Sequence, residues 1–130
     1  MSMEKGDIVW ATKDKDKHPH AIVFLEKIND YSFKSAILSS KKVNKNIKMH
    51  SEYICKVDNN GNEYDFKYKN THLISIYSFE KAYDWVKGAN IVGRLTDEGI
   101  EFVENNISKI SIFCPMSIKE FVEQQSSQQK

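Results

Sequence analysis

The sequence predicts a mainly β domain with a helical C-terminal part, and three observations carry that expectation. Short segments rich in Ile, Val, Phe and Tyr recur through the first three-quarters of the 130 residues, turn-forming residues separate them, and after Leu95 the apolar spacing changes from that of strands to that of a helix. Such short, evenly spaced strands suggest a small, strongly curved antiparallel barrel. One domain is expected over residues 1–123, since a chain of this length buries a sufficient core without disulfides or metal.

The elements follow in order. Strands are expected at Asp7 to Ala11, Ala21 to Lys27, Ser32 to Ser39, Ile47 to Tyr53, His72 to Tyr77 and Ile91 to Leu95. Asn29-Asp30 marks a turn between the second and third, and the run Asp58-Asn59-Asn60-Gly61-Asn62 marks another after the fourth. The stretch from Phe79 to Asn90 has no clear period and fits a helical turn on Ala82, Trp85 and Val86, stopped by Gly88. A helix over Asp97 to Asn106 follows from Thr96 as cap, from Asp97 and Glu98 in the positive first turn, and from the stripe Ile100, Val103, Ile107. Ser117-Ile118-Lys119-Glu120 is a capping box just past Pro115, so a shorter helix is expected there with Ile118, Phe121 and Val122 on one face. The Gln/Ser-rich residues 124–130 read as a disordered tail.

Charge is distributed unevenly. The first fifty residues hold ten Lys against six acidic residues, a net of +4, while the remainder holds nine basic against twelve acidic residues, a net of −3. A local field that attracts phosphate is therefore compatible with an overall charge of only +1. Cys55 and Cys114 match no metal or redox spacing and are expected to be reduced, buried thiols. No apolar run approaches the roughly 18 residues of a membrane helix and no leader pattern opens the chain, so a cytoplasmic protein without membrane association is expected.

Candidate chemistry collects in the basic third. His18, Pro19 and His20 lead into the second strand, and residues two apart on an extended chain share a face, so both imidazoles can be presented together. Imidazole gains and loses a proton near neutral pH, which suits general acid–base work; a solvated loop pair is the plainer alternative. Ser39, Ser40, Lys41 and Lys42 close the third strand, where hydroxyls and ammonium groups can bind a phosphate and stabilise charge growing on it, or simply form a polar strand end. Neither serine lies in a Gly-x-Ser-x-Gly elbow. Trp10 heads a set of aromatics, including Tyr31, Phe33, Tyr53, Phe66 and Tyr68, from which one or two faces are expected to stack on single-stranded bases and the rest to form core. His18, His20, His50 and His72 fall on predicted strands or their edges, but no His-Glu-x-x-His or paired Cys-x-x-Cys accompanies them, so no metal and no cofactor are expected.

The order of these segments resembles the MazF/PemK family of toxin endoribonucleases. Gly6 to Ala11 is similar to the family's Gly-Asp/Glu-Ile/Val-x-x-Ala/Val first strand; His18-Pro19 before Ala21-Ile22-Val23 stands where the family has Arg-Pro; and Ser39 corresponds to the Thr or Ser ending its third strand. His50 within Ile47 to Ile54, Leu73 to Tyr77, and Val92-Gly93-Arg94-Leu95 with the following helix resemble later elements. The resemblance implies an SH3-like barrel, a homodimer, a cognate antitoxin, and metal-independent cleavage of single-stranded RNA by the substrate's own 2′-hydroxyl. It further implies that His18 and Ser39 stand at the catalytic positions; with the residue chemistry above, substrate binding is expected of His20, Ser40, Lys41, Lys42, Trp10 and His50. The departure is His18 in place of Arg, with Arg94 the one arginine in the chain. Imidazole can take over proton transfer but lacks the planar fork with which guanidinium grips phosphate. The alternative is a non-catalytic module on the same barrel that engages nucleic acid or a protein such as a topoisomerase.

Overall fold

In a computed structural model, residues 3–12, 20–40, 46–118, 120, 121 and 123 are described. They form an eight-stranded, mainly antiparallel sheet and one α-helix. The strands are β1 (Asp7–Trp10), β2 (Ala21–Lys27), β3 (Ser32–Ser39), β4 (Ile47–Lys48), β5 (His72–Leu73), β6 (Ser78–Ala82), β7 (Ile91–Arg94) and β8 (Ser111–Phe113), with α1 (Asp97–Asn106) between the last two. The main path runs β4-β5-β3-β2-β1-β7. The outer side of β3 is divided: its first half pairs with β6, and its last two residues pair with β5. β8 adds to β6 in parallel.

β2 and β3 form where the sequence predicts, and local chemistry shows why. Asn29 Oδ1 accepts hydrogen bonds from the Tyr31 and Ser32 amides at 2.8 and 2.9 Å, which closes the turn between them. The Ala-Ile-Val-Phe-Leu run of β2 does not alternate with polar residues because both of its faces are covered. Ala21, Val23 and Leu25 join Ala36, Leu38, Leu73, Leu95 and Val103 in one core beneath α1, while Ile22 and Phe24 join Phe33, Ile37, Phe79, Trp85, Val86 and Phe121 in a second core on the opposite face. Register shifts at Ile8/Val9 and Phe24/Glu26 bend the sheet.

This two-sided burial corrects the expected closed barrel. Among the described residues β4 and β7 end the path without pairing to each other. The gap is bridged instead by irregular chain: Ile54 bridges Leu95, the Cys55 amide donates to the Arg94 carbonyl at 2.8 Å, and the Phe66 amide donates to the Val92 carbonyl at 2.8 Å. Four expected strands are also shorter than predicted, β1 and β7 by one residue each and β4 and β5 by more. β4 stops at Lys48 and gives way to a 3-10 turn at Ser51–Tyr53, and β5 stops at Leu73. The ambiguous stretch resolves into β6 followed by a 3-10 turn at Tyr83–Val86. α1 has the expected bounds, with Thr96 Oγ1 accepting from the Gly99 amide at 3.0 Å. Ser117 caps helical residues at 118, 120, 121 and 123, accepting from the Glu120 amide at 3.1 Å. Both cysteines are free; Cys114 is buried, whereas Cys55 is only half-buried, because it lies on the bridging chain rather than in a core.

The second core holds a buried ammonium group. Lys81 is 1% exposed, and its Nζ donates to the Cys114 carbonyl at 3.1 Å and to the Met116 carbonyl, 3.9 Å from the centroid of the Trp85 ring. It thus ties the segment after β8 to the sheet by charge-assisted hydrogen bonds and a cation–π contact.

Candidate functional site

The end of the sheet at which β2 begins and β3 finishes carries the candidate chemistry. Ala21 opposes Leu38, so the next antiparallel position places His20 beside Ser39. The Ala11 amide donates to the His20 carbonyl at 3.4 Å, which continues the β1–β2 pairing to that residue. On the other side Ser39 opposes His72 of β5, and His72 opposes Lys48 of β4. His20, Ser39, His72 and Lys48 therefore form one row across four adjacent strands. Strands lie about 4.8 Å apart, so the two imidazoles flank the serine hydroxyl at neighbouring positions.

The face of this row follows from the pleat. Residues two along the strands from His20, Ser39 and His72 are Ile22, Ile37 and Ile74, all members of the second core. The row thus caps that core where its apolar residues run out. Exposure is graded along it: Ser39 and His72 are 7% and 6% exposed, His20 is half-buried, and Lys48 is exposed. The row contains no carboxylate, so its formal charges are positive or neutral.

The other expected site residues divide in three ways. Ser40 is exposed immediately beyond the row. Trp10 and His50 belong to the opposite, α1 side: the Trp10 ring lies 5.7 Å from that of Phe66 in the first core, and His50 meets Tyr53 edge-on at 5.8 Å, with Tyr53 stacked on Phe102 of α1 at 4.3 Å. The structure does not bring these two aromatic rings to the Ser39 row. His18, Lys41 and Lys42 lie outside the described residues. In the sequence His72 reads only as a strand-edge histidine and nothing singles out Lys48; the signal that joins them to Ser39 is strand register, which pairs positions far apart in the chain.

Arg94 is engaged elsewhere. Its Nη1 lies 2.6 Å from Asp7 Oδ1 and 3.5 Å from Glu4 Oε2, and Asp7, 4% exposed, also accepts from the Glu4 amide at 2.7 Å. Near this pair Tyr64 is held above its ordinary value of 10.0, chiefly by burial and further by Cys55 and Asp7, with Arg94 opposing. Among the described residues no group of three or more His, Cys, Asp or Glu side chains is placed to hold a metal ion. None of their helices is long and apolar enough to cross a membrane. No family model, curated protein or solved structure matches the chain.

Proposed function

We propose that this protein is a metal-independent endoribonuclease acting on single-stranded RNA, a toxin of MazF/PemK type whose sheet is a variant of the SH3-like barrel. The observation that carries the reading is the β2–β3 register, whose next position sets His20 beside Ser39, within the first fifty residues, where the net charge is +4. His18 acts as general acid or base, Ser39 contacts the scissile phosphate, and His20, Ser40, Lys41 and Lys42 bind or support it. A base removes the proton of the 2′-hydroxyl, O2′ attacks phosphorus, the bond from phosphorus to the 5′-oxygen breaks, and an acid protonates that oxygen. The products are a 2′,3′-cyclic phosphate and a 5′-hydroxyl. A cognate antitoxin, a homodimer and a cytoplasmic setting belong to the same proposal.

A second reading, a non-catalytic module that engages nucleic acid or a protein such as a topoisomerase, is favoured by the burial of Ser39, which at 7% exposure leaves little of that residue for a substrate to touch. One assay separates the two. A long single-stranded RNA is incubated with the protein, with and without chelator, and fragment ends are identified. Chelator-resistant cleavage leaving cyclic phosphates is expected, with His18→Ala slower by roughly 10² or more. No cleavage by pure protein, or full suppression by chelator, would sink the nuclease reading.

A further inference from the structure

His72 is the one described residue whose buried side chain leaves a polar atom unmatched. It is 6% exposed, and its Nδ1 has no hydrogen-bond partner. Buried polar atoms in folded proteins are nearly all satisfied, because an orphan forfeits the hydrogen bonds it made to water. An imidazole could have been replaced here by an apolar side chain continuing the Ile74 core, at no such cost.

The neighbours of His72 define what would complete it. Ser39 lies on one side, with His20 beyond, and Lys48 lies on the other, all on one face of adjacent strands. A row of two imidazoles, a hydroxyl and an ammonium without a carboxylate suits a small oxyanion, whose charge complements the ammonium and which can accept from the Nδ1–H of His72. We propose that His72 is a substrate-contacting residue that donates from Nδ1–H to a phosphoryl oxygen bound beside Ser39. The assignment rests on the reading of this sheet end as a phosphate site. It adds a contact from β5, a strand to which neither expected catalytic residue belongs.

The side-chain geometry supplies a stringent test. In Asn the amide nitrogen is bonded to Cγ, as Nδ1 is in His, so His72→Asn keeps a donor near the Nδ1 position; His72→Gln moves it one bond further out, toward Nε2. The full chain is titrated with inorganic phosphate, against chloride at matched ionic strength, and the histidine ring signals are followed by NMR. Saturable shifts of the His72 ring are expected. Phosphate affinity should stay within about threefold of wild type in His72→Asn and fall roughly tenfold or more in His72→Gln, as for loss of a charge-assisted hydrogen bond. If either variant fails to fold, the wild-type ring signals decide. A His72 ring unmoved at saturating phosphate, or His72→Gln binding as tightly as wild type, would overturn the assignment. Phosphate binding with this variant pattern but no RNA cleavage would keep the assignment and remove the nuclease. RNA cleavage by His72→Gln at the wild-type rate would do the reverse.

Discussion

Gly99→Ala gives a prediction whose sign depends on whether helix propensity or tertiary packing wins. Within a helix, Ala is favoured over Gly by about 1 kcal/mol, so α1 alone would be strengthened. In the folded protein Gly99 lies in the first turn of α1 against the 3-10 turn at Ser51–Tyr53. A Cβ there would sit 2.9 Å from the Tyr53 carbonyl carbon and 3.0 Å from its Cα, and would overlap the carbonyl oxygen. These are backbone atoms, and that oxygen accepts from the Thr96 amide at 3.0 Å, so it cannot retreat without breaking a hydrogen bond. Overpacking costs about 1–3 kcal/mol and the broken bond about 1 kcal/mol, which exceeds the helix gain and leaves a net destabilisation of about 2 kcal/mol. Urea unfolding followed by far-UV circular dichroism should show a lower midpoint at unchanged slope. Asn105→Ala, on the exposed side of the same helix, should instead stabilise by about 0.5 kcal/mol. A Gly99→Ala protein as stable as wild type, or more so, would refute the close approach of α1 to the 3-10 turn.

Three further outcomes are expected. Lys81→Met should free the segment after β8, so that the Cys114 thiol, fully buried in the wild type, reacts with a thiol reagent faster while half-buried Cys55 reacts as before; equal Cys114 rates would show that Lys81 does not hold this segment. Because Tyr64 is raised by burial, the folded state holds its proton more tightly than the unfolded state does. That stability is present below about pH 10 and is lost as pH climbs through the higher folded value, so Tyr64→Phe should show a shallower alkaline decline, and identical profiles would contradict the shift. Lys41→Ala and Lys42→Ala should weaken RNA binding nearly equally across sequences and flatten its salt dependence by up to about 0.7 in slope for each phosphate no longer gripped; unchanged slopes would remove both lysines from the interface.

Local signals make part of this fold legible in the sequence. β2, β3 and α1 have the expected bounds because each is fixed by nearby residues: the Asn29 turn for the first two, the Thr96 cap for the third. β6 is hidden because its pattern contains Lys81, which reads as a surface residue until Cys114 and Met116 supply its acceptors. β8 is three residues long and exists by parallel pairing with β6, a long-range contact without a local mark. The barrel expectation fails at the Ala-Ile-Val-Phe-Leu run: an unbroken apolar run shows that a strand is buried, but not whether one enclosed interior or two separate cores bury it. The site has the same limit. Ser39 and His20 stand out by residue type at strand ends, whereas His72 and Lys48 join them only through register.

Where the one arginine stands limits how any phosphate can be held. Arg94 pairs with Asp7 at the start of β1, and the row of His20, Ser39, His72 and Lys48 lies level with Ala11, just past the end of that strand. Four residues of extended chain separate the two levels by about 14 Å, and the guanidinium is already occupied by Asp7 and Glu4. A phosphate at the row must then be held by imidazole, hydroxyl and ammonium groups. These lack the fork of guanidinium, and fixing the orientation of a bound oxyanion with single-point donors requires several of them converging from different strands. The row supplies a donor-bearing side chain on each of β4, β5 and β3 and at the start of β2. The unmatched Nδ1 of His72 fits the same requirement, since β5 can contribute to orienting the anion only through a ring nitrogen that no protein group already engages.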